Sequence, residues 1–336
     1  MKKDLSYALT ETIVRKFFKE FKGSPKRSLR NIVDIALHFS EGRFQKEFFT
    51  AIQNMLRNKN SAYYTMIEDM VCDMDIDRLI DIGMNIGFNS CTKGAEKIRK
   101  IEADEGFNIP WSVSLIIDGE EYAENKDRLK RVIAEGNELG INTWMIRSNR
   151  AASDVIELAS VFLDDAFIVF CRPDEITDNL IIEDKQVKNI MFVIECIEGV
   201  EAACCKLRKE GILYSVFVIY GEESAEYIVD GQLFSNIEEM KPMFAGVAAD
   251  RNCSSETVQK VYDYICETRN EQTYAMLPWD LLKDSEFIDS VISEDSCMAC
   301  FDEYGRLITY KDGYIMTELN VFEQPLKQVL KSAFYK

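Results

Sequence analysis

A chain of 336 residues exceeds one small core and leaves room for two or three domains. Apolar residues make up 47% and charged residues 29%, globular values that exclude a disordered chain. A net charge of −18 argues against nucleic-acid binding, and no segment reaches the ~20 apolar residues of a membrane helix.

Met1-Lys2-Lys3-Asp4 leads into an amphipathic helix and lacks the apolar core of a secretion signal. Ten cysteines are present, several inside apolar runs: Cys171, Cys196, Cys204, Cys205 and Cys266. This usage fits reduced, buried thiols, so a cytoplasmic location is expected. Charge is uneven. Residues 1–60 hold 13 Lys/Arg against 6 Asp/Glu, a local +7 that leaves −25 for the remainder. Two readings stay open: solvated faces that attract each other, or a basic docking surface for an acidic partner or peptide.

In chain order, residues 1–108 read as a helical subdomain. Leu5, Leu9, Ile13, Phe17, Phe18 and Phe21 recur at helical spacing and stop at Gly23. Ser24-Pro25 reads as a cap followed by proline at the first helical position, opening a helix through Phe39. Phe44, Phe48, Ile52, Met55 and Leu56 mark a third stripe, and others run through 63–71, 76–86 and 95–101.

From Trp111 the rhythm changes. Apolar runs at 113–117, 143–146, 167–170, 190–197, 214–220 and 244–248 alternate with amphipathic helices, including 125–139, 152–163, 200–210 and 255–268. Such alternation predicts parallel strands with right-handed crossovers. Six units fall short of the eight of a closed barrel. The expected fold is therefore α/β, a partial (β/α)6 TIM-like barrel over 109–270, with a doubly wound sheet as the alternative. Residues 271–336 are expected to add a β-hairpin, Asp302 to Thr317, with turns at Tyr304-Gly305 and Asp312-Gly313, and a closing helix from Gln324 to Phe334.

Gly83-Met-Asn-Ile-Gly-Phe-Asn89, Gly94-Ala-Glu-Lys-Ile-Arg99 and Glu105-Gly-Phe-Asn-Ile-Pro-Trp111 occur in that order. Glu138-Leu-Gly-Ile141, Ile156-Glu-Leu-Ala159 and Asn189 to Gly199 follow, and then Cys297 to Asn320 and Pro325 to Leu330. This series, over roughly residues 75–336, resembles one group of radical S-adenosylmethionine proteins. The resemblance implies a partial (β/α)6 barrel with a SPASM- or twitch-like C-terminal segment. It also implies a C-x3-C-x2-C loop after the first strand, whose thiolates hold a [4Fe–4S] cluster. Here that loop reads Asp118-Gly-Glu-Glu-Tyr-Ala-Glu-Asn-Lys-Asp127, with no cysteine or histidine. The family's Gly-Gly-Glu-Pro motif falls at Ser148-Asn149-Arg150-Ala151, and its later cysteine at Met316-Thr317-Glu318. The resemblance thus implies a degenerate member without the cluster, with no cofactor expected.

Cys297 and Cys300 have metal-ligand spacing, but a structural zinc needs four ligands and the others would be remote, such as Cys253 and Cys266. The single histidine, His38, excludes multi-histidine sites. No nucleophile elbow, P-loop or dinucleotide fingerprint appears. Barrel sites form at strand C-termini. That makes Arg147, Arg172, Cys196, Glu198, Tyr220, Asp250 and Arg251 the ligand-binding candidates, with Asp118 beside them. Arg147 and Arg172 suit a carboxylate or phosphate, or else pair with acids such as Glu198 or Asp250 and plug the site. Two function classes follow. One is a non-catalytic binding or accessory protein with a peptide or partner enzyme. The other is an iron-free enzyme or small-anion binder. Neither nucleic acid nor membrane is an expected partner, and the oligomeric state is left open.

Overall fold

The computed structural model describes residues 5–21, 24–38, 43–293, 295–310 and 314–336. The expected helix stop at Gly23, the helix end at Phe39 and the turn at Asp312-Gly313 lie outside the described residues, as do the side chains of Phe44 and Phe48. By contact, the chain divides into two compact units: Met1–Ile80 with Ile194–Asp284, and Asp81–Val193 with Ser285–Lys336.

The first unit begins with helices α1 (Leu5–Phe21), α2 (Pro25–His38), α3 (Arg43–Met55) and α4 (Tyr63–Asp73). Ser24 O accepts the Ser28 N–H at 2.9 Å ahead of the proline-led start of α2. Phe21, Leu29, Val33, Leu56, Tyr64 and Val71 form the buried apolar cluster of these helices. The expected stripe of α1 is buried only toward its end, since Leu5 is 87% exposed and Leu9 54%. Helix α5 (Ile76–Met84) crosses the division between the units. After residue 194 the first unit contains strands β5 (Tyr214–Tyr220), β6 (Phe244–Ala249) and β7 (Leu277–Asp280), in that spatial order and parallel. Helices α10 (Val200–Lys209), α11 (Ala225–Val229), α12 (Gln232–Glu238) and α13 (Ser255–Glu271) lie between or before them in sequence.

In the second unit a π-helix, Asn85–Gly94, leads into α6 (Ala95–Glu105). Strand β1 (Ser112–Asp118), helix α7 (Tyr122–Leu139), strand β2 (Thr143–Asn149), helix α8 (Ala152–Val161) and strand β3 (Ala166–Cys171) follow. Helix α9 (Asp178–Asp184) and strand β4 (Ile190–Glu195) close this run. Beyond α14 (Lys283–Ile292) come β8 (Ala299–Phe301), β9 (Arg306–Thr309), β10 (Ile315–Asn320) and α15 (Leu326–Ala333). Within this unit the strand order is β10-β9-β8-β1-β2-β3. Strands β1, β2 and β3 are parallel, β8 joins β1 in parallel, and β9 runs antiparallel to both β8 and β10.

The expected alternation of strands and helices is formed. Two strands were not expected. Strand β7 hides in Leu-Pro-Trp-Asp. The three-residue β8 makes the C-terminal segment part of the parallel sheet rather than a separate hairpin.

The motif Gly83–Asn89 has a structural role. Asn85 Nδ2 donates to Leu163 O at 2.9 Å and Asp165 O at 2.8 Å, and Asn89 Nδ2 to Asp164 O at 2.8 Å. These bonds tie the π-helix to the α8–β3 loop, where otherwise unpaired carbonyls would be costly. Gly94 is required at its end, because a Cβ there would collide with the backbone carbonyl of Gly140.

Candidate functional site

Parallel strands place their C-terminal ends together, and loops there carry sites in α/β folds. In the second unit those ends are Asp118 of β1, Asn149 of β2 and Cys171 of β3. The β1–α7 connection is only Gly119–Glu121. It is closed on itself. Asp118 Oδ1 accepts the Glu120 N–H at 2.8 Å, Asp118 O accepts the Glu121 N–H at 3.2 Å, and Asn149 Nδ2 donates to Asp118 Oδ2. Gly119 N donates to Asn149 O at 3.0 Å, joining this turn to the end of β2. A Cβ on Gly119 would lie 2.5 Å from Arg150 O, so the two turns touch backbone to backbone.

Next to it, Ser148 Oγ donates to Glu175 Oε2 at 2.5 Å and accepts the Ala151 N–H at 2.9 Å. Glu175 also accepts the Ala152 N–H at 3.3 Å and, through Oε1, the Arg172 N–H at 3.0 Å. One carboxylate thereby ties together the segments that follow β2 and β3. Its residue types gave no signal in sequence, because Glu175 sits in a short 3-10 turn, Pro173–Glu175, after a strand.

Arg147 lies on β2, just before its end, paired in register with Phe170 of β3. It is exposed and makes no ion pair among the described residues. Arg172 Nε lies 3.3 Å from Asp174 Oδ1. Both partners are more than half exposed, so the pair contributes little.

In the first unit, Tyr220 ends β5 and is 1% exposed, and its hydroxyl finds no hydrogen-bond partner among the described residues. Burial pushes its phenol up, and Asp280 and Cys253 add to this. Tyr220 O accepts the Asp250 N–H at 2.7 Å and the Cys253 thiol at 3.5 Å, which binds the β5 and β6 ends together. Asp250 Oδ1 is occupied by the backbone and side-chain nitrogens of Asn252, at 2.9 and 2.8 Å. Arg251 is exposed. Cys196 follows β4, donates its N–H to Phe217 O at 2.8 Å, and has its thiol pushed up to about 12 by burial and by Glu195. Glu198 is exposed. The structure therefore brings Tyr220 and Asp250 together.

A closed acidic group that sequence reasoning missed lies at β7. Asp284 Oδ2 accepts the Asp280 N–H and Arg269 Nη1, each at 2.8 Å. The i, i+4 spacing of Asp280 and Asp284 was the available signal.

An iron–sulfur cluster of the kind the family resemblance implies needs thiolates. The β1–α7 turn supplies Asp118, Gly119, Glu120 and Glu121, which do not fit it. Nor do three other cysteines of the same unit offer an easy thiolate. Burial pushes Cys91 up to about 12, Cys300 up to about 11, and Cys297 well up. Cys297 and Cys300 engage different groups. The Cys297 N–H donates to Asp289 Oδ2 at 3.2 Å and its thiol lies 3.8 Å from Ser293 Oγ, whereas Cys300 is on β8 opposite Ser114. Among the described residues no three His, Cys, Asp or Glu side chains converge as a metal site.

The fold these elements define is of the α/β class, a partial TIM-like barrel of mostly parallel strands. No protein-family model matches the chain, and no curated protein matches it. Among solved structures it is similar to Streptococcus suis SuiB bound to the precursor peptide SuiA, with TM-score 0.53, 12% identity, and coverage of 70% of this chain and 67% of that one. It is also similar to SuiB alone (TM-score 0.52, 12% identity, 70% and 68% covered) and to SuiB bound to S-adenosylmethionine (0.51, 10%, 70% and 66%). The chain thus spans about two thirds of the length of those proteins. At this identity the likeness is one of fold. No helix among the described residues is long and apolar enough to cross a membrane.

Proposed function

We propose that this chain is a radical-SAM-like protein without the cluster chemistry, acting as a non-catalytic binding or accessory protein for a peptide or partner enzyme. The observation that carries this reading is the β1–α7 connection. Where the family resemblance calls for a cysteine-rich loop, the chain has Gly119–Glu121 alone, closed by Asp118 and Asn149. The Ser148–Glu175 bridge supports it, since it occupies the place of the second family motif with hydrogen bonds internal to the chain. A peptide as partner class is supported by the solved complex of SuiB with its precursor peptide.

One observation favours a second reading, an iron-free enzyme or small-anion-binding protein. Arg147, near the end of β2, is exposed and makes no ion pair among the described residues. Phosphate or carboxylate binding that disappears in Arg147→Ala would favour it. The first reading is tested by anaerobic iron–sulfur reconstitution, in which the purified chain is expected to retain no iron.

A further inference from the structure

A second recognition surface lies among the N-terminal helices, away from any strand end. Arg30, Val33 and Asp34 of α2 line a cleft of about 330 Å³ with Gln53 of α3 and with Leu56 and Arg57 just beyond it. Val33 and Leu56 belong to the buried apolar cluster, so the floor is apolar and fixed in place. At one end Gln53 Nε2 donates to Asp34 Oδ1 at 2.7 Å, holding α2 to α3. Lys26, one turn before Arg30, donates to Lys59 O at 3.1 Å and lies 4.8 Å from the centre of the Tyr64 ring. That contact pins the start of α2 to the turn that carries Arg57.

The two arginines are what remains unused. Arg30 and Arg57 are exposed, and neither guanidinium has a hydrogen-bond or ion-pair partner among the described residues. Elsewhere in the same unit arginines find carboxylates: Arg15 meets Glu11 and Asp77 at 2.9 Å, and Arg269 meets Asp284 at 2.8 Å. Residues 1–60 carry +7 within a chain of −18, so this region favours an acidic ligand. Guanidinium groups bind carboxylates with directed, paired hydrogen bonds. The apolar floor adds a place for a carbon side chain, which an inorganic anion would leave empty. Asp34, at the Gln53 end, repels a second carboxylate and accepts an N–H.

We infer that this cleft docks an acidic peptide segment, with a glutamate or aspartate carboxylate on Arg30 and Arg57 and the adjacent apolar side chain on Val33 and Leu56. The inference rests on the binding reading above and names the surface and ligand chemistry that such binding would use.

Fluorescence anisotropy of the full chain tests it, with a labelled peptide alternating glutamate and leucine and a control with glutamine in place of glutamate. The glutamate peptide is expected to bind saturably, and the control at least about tenfold more weakly. The double variant Arg30→Gln, Arg57→Gln should lose about tenfold or more with unchanged thermal melting by circular dichroism. Each single variant should fall between, and replacement of both by lysine should restore part of the affinity. No saturation below ~1 mM, equal binding of the control, or displacement of the peptide by equimolar inorganic phosphate would overturn it. Peptide binding that ignores the double variant removes this site while leaving the binding reading intact. Iron retained after reconstitution of the same preparation removes that reading instead.

Discussion

Asp165 and Asp289 are carboxylates with at most 1% of their surface exposed. Asp165 accepts Asn142 Nδ2 at 2.9 Å and Trp144 Nε1 at 3.2 Å. Asp289 accepts the Trp111 N–H at 3.1 Å and the Cys297 N–H at 3.2 Å. Burial nevertheless dominates and raises each to about 7. A carboxyl raised above its unfolded value of roughly 3.9 binds its proton more tightly when folded. Its stabilising effect is complete below that unfolded value and is lost as pH rises through about 7. Urea unfolding midpoints should therefore fall between about pH 5 and about pH 8. Asp165→Asn and Asp289→Asn should each flatten that decline. Midpoints that rise over this range would contradict the assignment. Neither acid was identifiable from sequence, because Asp164-Asp165 reads as a polar loop and only the packed structure shows which of the two is enclosed.

At the scale of elements, the β1–α7 turn is the feature on which the proposed function rests. Gly119→Ala places a methyl group 2.5 Å from Arg150 O and 3.2 Å from Arg150 C, both backbone atoms that cannot swing aside. We expect a loss of about 1–3 kcal/mol in urea unfolding. A change under about 0.5 kcal/mol would show that the two turns are not held in contact. The elements were legible where their periodicity was strong. Tyr214–Tyr220 is β5 to the residue, since its apolar run is bounded by a helix on one side and Gly221 on the other. Leu277–Asp280 was not legible, because four residues containing Pro278 show no alternation long enough to read. Ala299–Phe301 is a strand only through its pairing with β1, a tertiary cause that local sequence does not carry. Strand ends were legible only in part: β5 ends at Tyr220 as expected, but β2 runs on past Ile146 to Asn149 and β4 stops at Glu195, short of Ile197. Side-chain pairing was not legible: Arg172 meets Asp174, two residues away, and Arg147 meets no carboxylate among the described residues.

At the scale of the molecule, division of the chain into 1–108, 109–270 and 271–336 remains a proposal. It expects amides of α4 and α6 to share one opening free energy in native-state hydrogen exchange. Exchange of α4 together with β5 and β7 would count against it. Contacts within the first unit make that alternative concrete, since Lys241 meets Asp69 at 3.0 Å and Ala62 N donates to Gln272 O at 3.1 Å.

The proposed absence of an iron–sulfur cluster is open to direct test. The most direct measurement is anaerobic reconstitution with iron and sulfide, followed by desalting, iron counting and a visible spectrum. The expected result is iron near zero per chain, no thiolate-to-iron charge-transfer absorption, and no change on replacing Cys297 and Cys300 by alanine. About four irons per chain, lost in the Cys297→Ala, Cys300→Ala variant, would contradict it.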